Sequence, residues 1–309
     1  MAPRLVPLSA GPVRAIVSPE AGGSIAQFAV VRDGAVIDLM RPPHPAALAD
    51  TNPRALASYP LVPFSNRIAH ARFRFEDADY ALRQNFLPEP HAIHGDGWQC
   101  PWTVDAVTDE RVTISYLHDG KDGGGLRDAG VAGGSGWPFR YHARQTFALD
   151  PGGLTVEIGA TNLDDRAWPF GCGVHPYFRA TPGLRLTARL PQVWMWDTIK
   201  LPVVRVPTPP VWEFAAGRTV PDLHLDHCFA GWDQRARLDW PELGVALTIE
   251  ADAIFRHCVI AVLGEVVAVE PVTNANDGVN LMARGEPAHG MLMIAPGQTI
   301  GGRVRFALS

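Results

Sequence analysis

Four short stretches set ionisable or amide side chains among apolar or glycine-rich neighbours: SNRIAHARF (65–73), HAIHGDGW (91–98), GVHPYF (173–178) and AVEPVTNANDGVN (268–280). A charge buried without a partner is too costly to be incidental. In the last stretch Val266, Val267, Ala268 and Val269 lead to Glu270, and Pro271 follows at once. A carboxylate so placed is held rigidly and partly desolvated, which raises its basicity and suits it to act as a general base. The competing reading is a plain ion pair with an arginine. His175 is stiffened similarly, because Pro176 biases it toward extended backbone, while Gly171 and Gly173 leave room for close approach. An imidazole of ordinary pKa, about 6.5, gives and takes a proton at neutral pH better than any other side chain. Against that stands a core histidine satisfied by a backbone carbonyl.

His91 and His94 lie three residues apart. A zinc site could be assembled from them with His175 and Glu270, but His-x-x-His outside a helix is a weak signal and no His-Glu-x-x-His occurs. No metal and no cofactor are expected. Arg67 and Asp226 are suited to vicinal hydroxyls, since a guanidinium fork and a carboxylate each make paired, charge-assisted hydrogen bonds. Either could equally be a rim salt bridge worth about 0–1 kcal/mol. Tryptophans such as Trp98, Trp137, Trp194, Trp196 and Trp232 offer plates for the apolar face of a sugar, although large aromatics dominate cores in any case.

The elements that must position these residues read as strands. Leu154, Val156, Ile158 and Ala160 alternate with Thr155, Glu157, Gly159 and Thr161 after an Asp-Pro-Gly-Gly turn, which predicts a hairpin. Phe73 and Phe75 before an acidic turn, with Tyr80 and Leu82 after it, repeat the pattern. With 28 prolines and 30 glycines, few windows can sustain a helical period, and the best candidate is a short turn within 44–58. The expectation is an all-β fold, a large antiparallel β-sandwich in which 1–309 form a single domain. The glycine-rich stretch 119–137 lacks the endings of a phosphate loop and reads as a long loop at the rim of a site. The proline-rich stretch 201–214 reads as an extended edge or crossover segment.

Composition agrees. Hydrophobic residues at 47% and charged residues at 19% describe a soluble globular chain, and a net charge of −5 argues against nucleic acid. Cys100, Cys172, Cys228 and Cys258 form no Cys-x-x-Cys pair and are expected as buried free thiols. The proline-broken N-terminal stretch and the absence of a run of about 18 apolar residues predict a cytoplasmic protein that avoids membranes.

Taken in order, these motifs resemble the aldose 1-epimerase (galactose mutarotase) family over nearly the whole chain. PEAGGSIAQF and DLMRP are similar to its opening strands, SNRIAH to the segment whose arginine binds substrate, and HAIHGDGW to its His-Gly-x-His-Gly segment. VHPYF, LDHCF and VEPVTNAND are similar to the segments holding the catalytic acid, a hydroxyl-binding aspartate and the catalytic base. The resemblance implies His175 as acid, Glu270 as base, and Arg67, His94 and Asp226 as substrate contacts. It implies the family's β-sandwich, a monosaccharide partner and interconversion of the α and β anomers of a free aldose by ring opening and closure. A monomer or homodimer is expected. Ala92 departs from the usual glycine and TNANDGVN lacks the usual Pro-Asp-Ala, which bears on the sugar preferred. Ordinary values of about 4.3 and 6.5 would bracket an ionised Glu270 and a protonated His175, giving a bell-shaped pH profile. The alternatives are a hexose-6-phosphate 1-epimerase and a sugar-binding sandwich without catalysis. The phosphorylated substrate would need further cations at the pocket; Arg54, Arg72 and Arg256 could supply them, with no local cluster visible in the sequence.

Overall fold

Tyr141–Asp150 and Gly153–Asn162 pair from Asp150 opposite Gly153 to Tyr141 opposite Asn162, so the Asp-Pro-Gly-Gly hairpin forms as predicted. Leu154, Val156, Ile158 and Ala160 are buried and the residues between them half-buried, the two-residue period of a strand with one packed face. Gly153 is required where the chain turns: its φ is +147°, and a Cβ there would fall 2.1 Å from the carbonyl oxygen of Phe306. The structure is a computed structural model describing residues 3–120 and 136–309, so most of the glycine-rich stretch 119–137 lies outside the described residues.

Among the described residues a nine-stranded sheet runs Thr103–Val107, Arg111–His118, Tyr141–Asp150, Gly153–Asn162, Thr299–Leu308, Val245–Ala251, Arg235–Trp240, Arg185–Ala188 and Arg218–Thr219. An eight-stranded sheet runs Pro202–Pro207, Gln192–Trp196, Asp226–Ala230, His257–Leu263, Val266–Val272, Gly173–Val174 and Pro60–Leu61, with Tyr177–Arg179 also paired to Val266–Val272. The pairings within both sheets are antiparallel. Pro202–Pro207 takes an outer edge, where prolines forfeit no interior ladder bond, as expected for 201–214.

One apolar core joins the sheets, with Val156 and Ile158 from the first meeting Val193, Phe229, Ile260 and Val269 from the second. The eight-stranded sheet is also apolar on its other face, where Trp194, Cys228, Val259, Ala261 and Ala268 gather with Tyr59, Trp98 and Tyr177. This all-β, large antiparallel architecture matches the fold class read from the sequence. The helical turn within 44–58 appears as Pro45–Ala49, capped by His44 Nδ1 accepting from the Ala46 amide at 3.3 Å, and a 3-10 turn at Pro53–Ala55. A second helix, Gly278–Ala283, was not read from the sequence. All four cysteines are buried and outside any disulfide, and burial pushes Cys100 up to about 11 and Cys172 to about 12.

Candidate active site

Alternation along Val266–Val272 decides where the carboxylate goes. Val267 and Val269 face the core between the sheets, so Ala268, Glu270 and Val272 face the other side. Glu270 lies opposite Val259, Cys228 opposite Val259 on the next strand, and Asp226 opposite Ala261. The small side chains Val259 and Ala261 therefore form a floor with Glu270 and Asp226 standing on it. Above the floor lies a cavity of about 610 Å³ whose walls include Arg67, His94, His175, Tyr59 and Tyr177. That volume is within the usual range for a small-molecule site. All five residues singled out by the sequence, His175, Glu270, Arg67, His94 and Asp226, line this one cavity.

His175 follows the short strand Gly173–Val174, and its amide donates to the Tyr59 carbonyl oxygen at 3.0 Å. Its Nε2 lies 3.2 Å from Glu270 Oε1, with both side chains almost fully buried. Tyr59 stacks on the imidazole at 4.6 Å, Tyr177 lies 4.5 Å away tilted by 35°, and His94 meets it edge-on at 5.3 Å. This packing fixes the ring plane. Burial pushes Glu270 well above the usual carboxylate range, reinforced by nearby Asp226 and opposed by Arg67, and pushes His175 down to about 3. Both groups are thus driven to their neutral forms, and the pair holds its one proton on the carboxyl. The ionised glutamate and protonated histidine expected from unperturbed values are corrected here, because desolvation outweighs intrinsic affinity.

His94 is fixed by Asn66 twice: its amide donates to the Asn66 carbonyl at 2.9 Å, and its Nδ1 accepts from the Asn66 amide at 3.1 Å. Nδ1 is therefore unprotonated and Nε2 carries the hydrogen, and burial holds the ring well below its ordinary pKa. A neutral N–H donor results, suited to a sugar oxygen. His94 has a φ of +63°, and Gly95 follows at +71° with no room for a Cβ. His91 is turned elsewhere: its Nδ1 accepts from the His70 amide and its Nε2 lies 2.9 Å from the Ile199 carbonyl oxygen, so it does not join His94 in a metal set.

Arg67 does not pair with Glu270. Its Nε and Nη2 donate to the two oxygens of Glu89, each at 2.7 Å, a bidentate pair that keeps the guanidinium at the wall. Arg67 holds the Glu89 carboxyl below its ordinary pKa although burial acts the other way. Asp226 accepts from Lys200 Nζ at 2.6 Å near the cavity rim. Lys200 is placed by a turn anchored through its carbonyl, which accepts from Asn276 Nδ2 at 3.0 Å.

Sequence reasoning missed Arg41, Tyr59, Tyr177, Glu89 and Lys200, all of which line the cavity. Tyr177 and Arg41 sit inside stretches already noted, VHPYF and DLMRP, so they were within reach; the others come from segments whose approach only the fold creates. Of the arginines considered for phosphate, Arg54 lines the cavity, Arg72 is exposed on Arg72–Phe75, and Arg256 borders a separate hollow beside Trp232 and His257.

Over residues 4–260 the sequence matches the family model described as aldose 1-epimerase. The chain belongs to the aldose 1-epimerase family. The matched span includes Arg67, His94, His175 and Asp226 and ends before Glu270. The chain is similar to the uncharacterized protein YphB of Escherichia coli K12, with 30% identity over 196 residues, 62% of this chain and 61% of YphB. The aligned part thus spans less than two thirds of that relative. Among solved structures, a candidate aldose 1-epimerase of Escherichia coli K12 superimposes with a TM-score of 0.83 at 26% identity, covering 99% of each chain. A galactose mutarotase-like protein of Clostridium acetobutylicum reaches 0.84 at 17% identity, covering 99% of this chain and 95% of its own, a likeness of fold.

Proposed function

We propose that the protein is an aldose 1-epimerase that interconverts the α and β anomers of an aldose by acid/base-catalysed ring opening and closure. The observation that carries this reading is the His175 Nε2 to Glu270 Oε1 contact of 3.2 Å on the floor of the cavity. Opening a pyranose needs two proton transfers: one from the C1 hydroxyl to a base, and one from an acid to the ring oxygen as its bond to C1 breaks. The products are a free aldehyde at C1 and a hydroxyl at C5. Glu270 takes the first proton and His175 supplies the second. The aldehyde rotates about the C1–C2 bond, and the reverse transfers close the ring on either face.

The pKa directions give this cycle a sense. The reacting form has an ionised Glu270 and a protonated His175; once the ring is open the proton has moved to Glu270 and both groups are neutral. Burial favours that neutral state, which is also the resting form of the pair, so the proton moves from Glu270 to His175 before the ring opens. The direct contact between the two groups lets the proton pass back for another cycle. His94 supports the reaction as a neutral donor, and Arg67 and Asp226 serve ring hydroxyls from the walls. These side chains complete both proton transfers by themselves.

Polarimetry on freshly dissolved α-glucose, α-galactose and L-arabinose tests the reading. Wild type should speed the approach to anomeric equilibrium for at least one sugar, and Glu270→Gln and His175→Asn should abolish that acceleration while remaining folded. If neither these sugars nor an anionic aldose such as glucose 6-phosphate or glucuronate relaxes faster than the solvent rate with wild type, or if both variants keep full activity, the reading fails.

A further inference from the structure

The cations around the cavity are not alike. Arg67 is neutralised by Glu89 and Lys200 by Asp226, whereas Arg41 and Arg54 meet no carboxylate among the described residues. Both are nevertheless held in place. Arg41 donates through Nε to the Leu56 carbonyl at 2.9 Å and through Nη2 to the Arg54 carbonyl at 2.6 Å, and its guanidinium lies 4.0 Å from the centre of the Tyr177 ring. Arg54 lies 3.9 Å over the Phe86 ring. With Glu270 and His175 neutral, the walls carry two uncompensated positive charges, placed together on the Tyr177 side. Half-burial costs Arg41 part of its hydration and lowers its pKa, a cost that a bound anion would relieve.

Their position relative to the chemistry tells which part of a sugar they would face. Arg41 stacks on Tyr177, and Tyr177 stands against His175 at 4.5 Å. The acid serves the ring oxygen, the ring oxygen is bonded to C5, and the substituent of C5 therefore projects on the acid's side, toward the two arginines. The cavity's volume of about 610 Å³ leaves room for a group larger than a hydroxymethyl.

Resting on the epimerase reading of this pocket, we propose that the substrate is an aldose bearing an anionic substituent at C5 or C6, a carboxylate or a phosphate, bound by Arg41 and Arg54. The Arg54 fork matches both oxyanions through paired hydrogen bonds, and Arg41, whose Nε and Nη2 are taken by backbone carbonyls, adds its charge and its Nη1 donor; stacking on Tyr177 and Phe86 pre-orients both. A neutral hexose would leave both charges unanswered.

The test compares α-glucose, glucose 6-phosphate and glucuronate at one fixed low ionic strength, with wild type, Arg41→Gln, Arg54→Gln and Arg54→Lys. Anomer exchange is followed by NMR and binding by calorimetry. Wild type should process one of the two anionic sugars with a kcat/KM about tenfold or more above glucose, and whichever it is separates phosphate from carboxylate. That ratio should fall about tenfold in each Gln variant and recover in part in Arg54→Lys. Arg54 is exposed, so its variants remain folded even if Arg41→Gln does not. Turnover of glucose equal to that of both anions, or a preference that survives both Gln substitutions, overturns the proposal and leaves the epimerase reading standing. If no sugar is turned over, tight calorimetric binding of an anionic sugar that weakens in the Gln variants upholds the anion site while the epimerase reading falls; absence of such binding overturns both.

Discussion

At the scale of single residues, the site depends on a pair whose protonation its surroundings invert. Glu270 is raised and His175 lowered to about 3, so the pair carries one proton from about that acid limit up to the raised carboxyl value. Titrations of groups this close belong to the pair. The kcat/KM profile should therefore be a bell whose acid limb lies well below 6.5, measurable by NMR exchange in overlapping buffers; an acid limb at 6.5 would show His175 to be unperturbed. Glu270→Gln and His175→Asn should each lower kcat by about 10²–10⁴, the usual yield of one proton-transfer group. Glu89→Gln should behave differently. It frees the Arg67 fork from a partner at 2.7 Å on both arms, so KM should rise about threefold to tenfold with kcat little changed, as for a lost uniform binding contact.

At the scale of elements, what could be read locally was read. The Asp-Pro-Gly-Gly hairpin, the Phe73 and Phe75 strand and the proline-rich edge depend on neighbours in sequence, and they form where the pattern puts them. Gly278–Ala283 escaped because six residues are too few to display a helical period. The turn carrying His94 is the element most exposed to a small change. Gly95 has a φ of +71°, and a Cβ there would lie 2.1 Å from the Val62 carbonyl oxygen. Gly95→Ala should cost about 1–3 kcal/mol, read as a lower urea midpoint. It should also impair turnover, since His94 is held by the same backbone.

At the scale of the molecule, burial of titrating groups sets the pH dependence of stability. Between about pH 4.5 and 6.5 the unfolded chain protonates His94 and His175, which the native state keeps neutral, while native Glu270 retains a proton that the unfolded chain has lost. Two protons against one leave the unfolded state binding one more. Stability from these groups should thus rise with pH across that window by about 1.4 kcal/mol per unit. Urea unfolding at several pH values checks it: His175→Asn should flatten the dependence and Glu270→Gln should steepen it. The sequence by itself determined the all-β class, because a two-residue period broken by Gly and Pro turns leaves little else, and it singled out all five side chains that the cavity gathers. Four of them stood in apolar or glycine-rich stretches where a polar group stands out locally, and Asp226 was marked as a carboxylate suited to sugar hydroxyls. Only the tertiary structure decided that Arg67 pairs with Glu89 and leaves Glu270 to His175, because ion-pair choice depends on distances across strands remote in sequence. It also brought Arg41 and Arg54 to one wall beside Tyr177 and Phe86. Desolvation is a property of the assembled pocket, so the reversal of the two pKa values could not be read before the chain was folded.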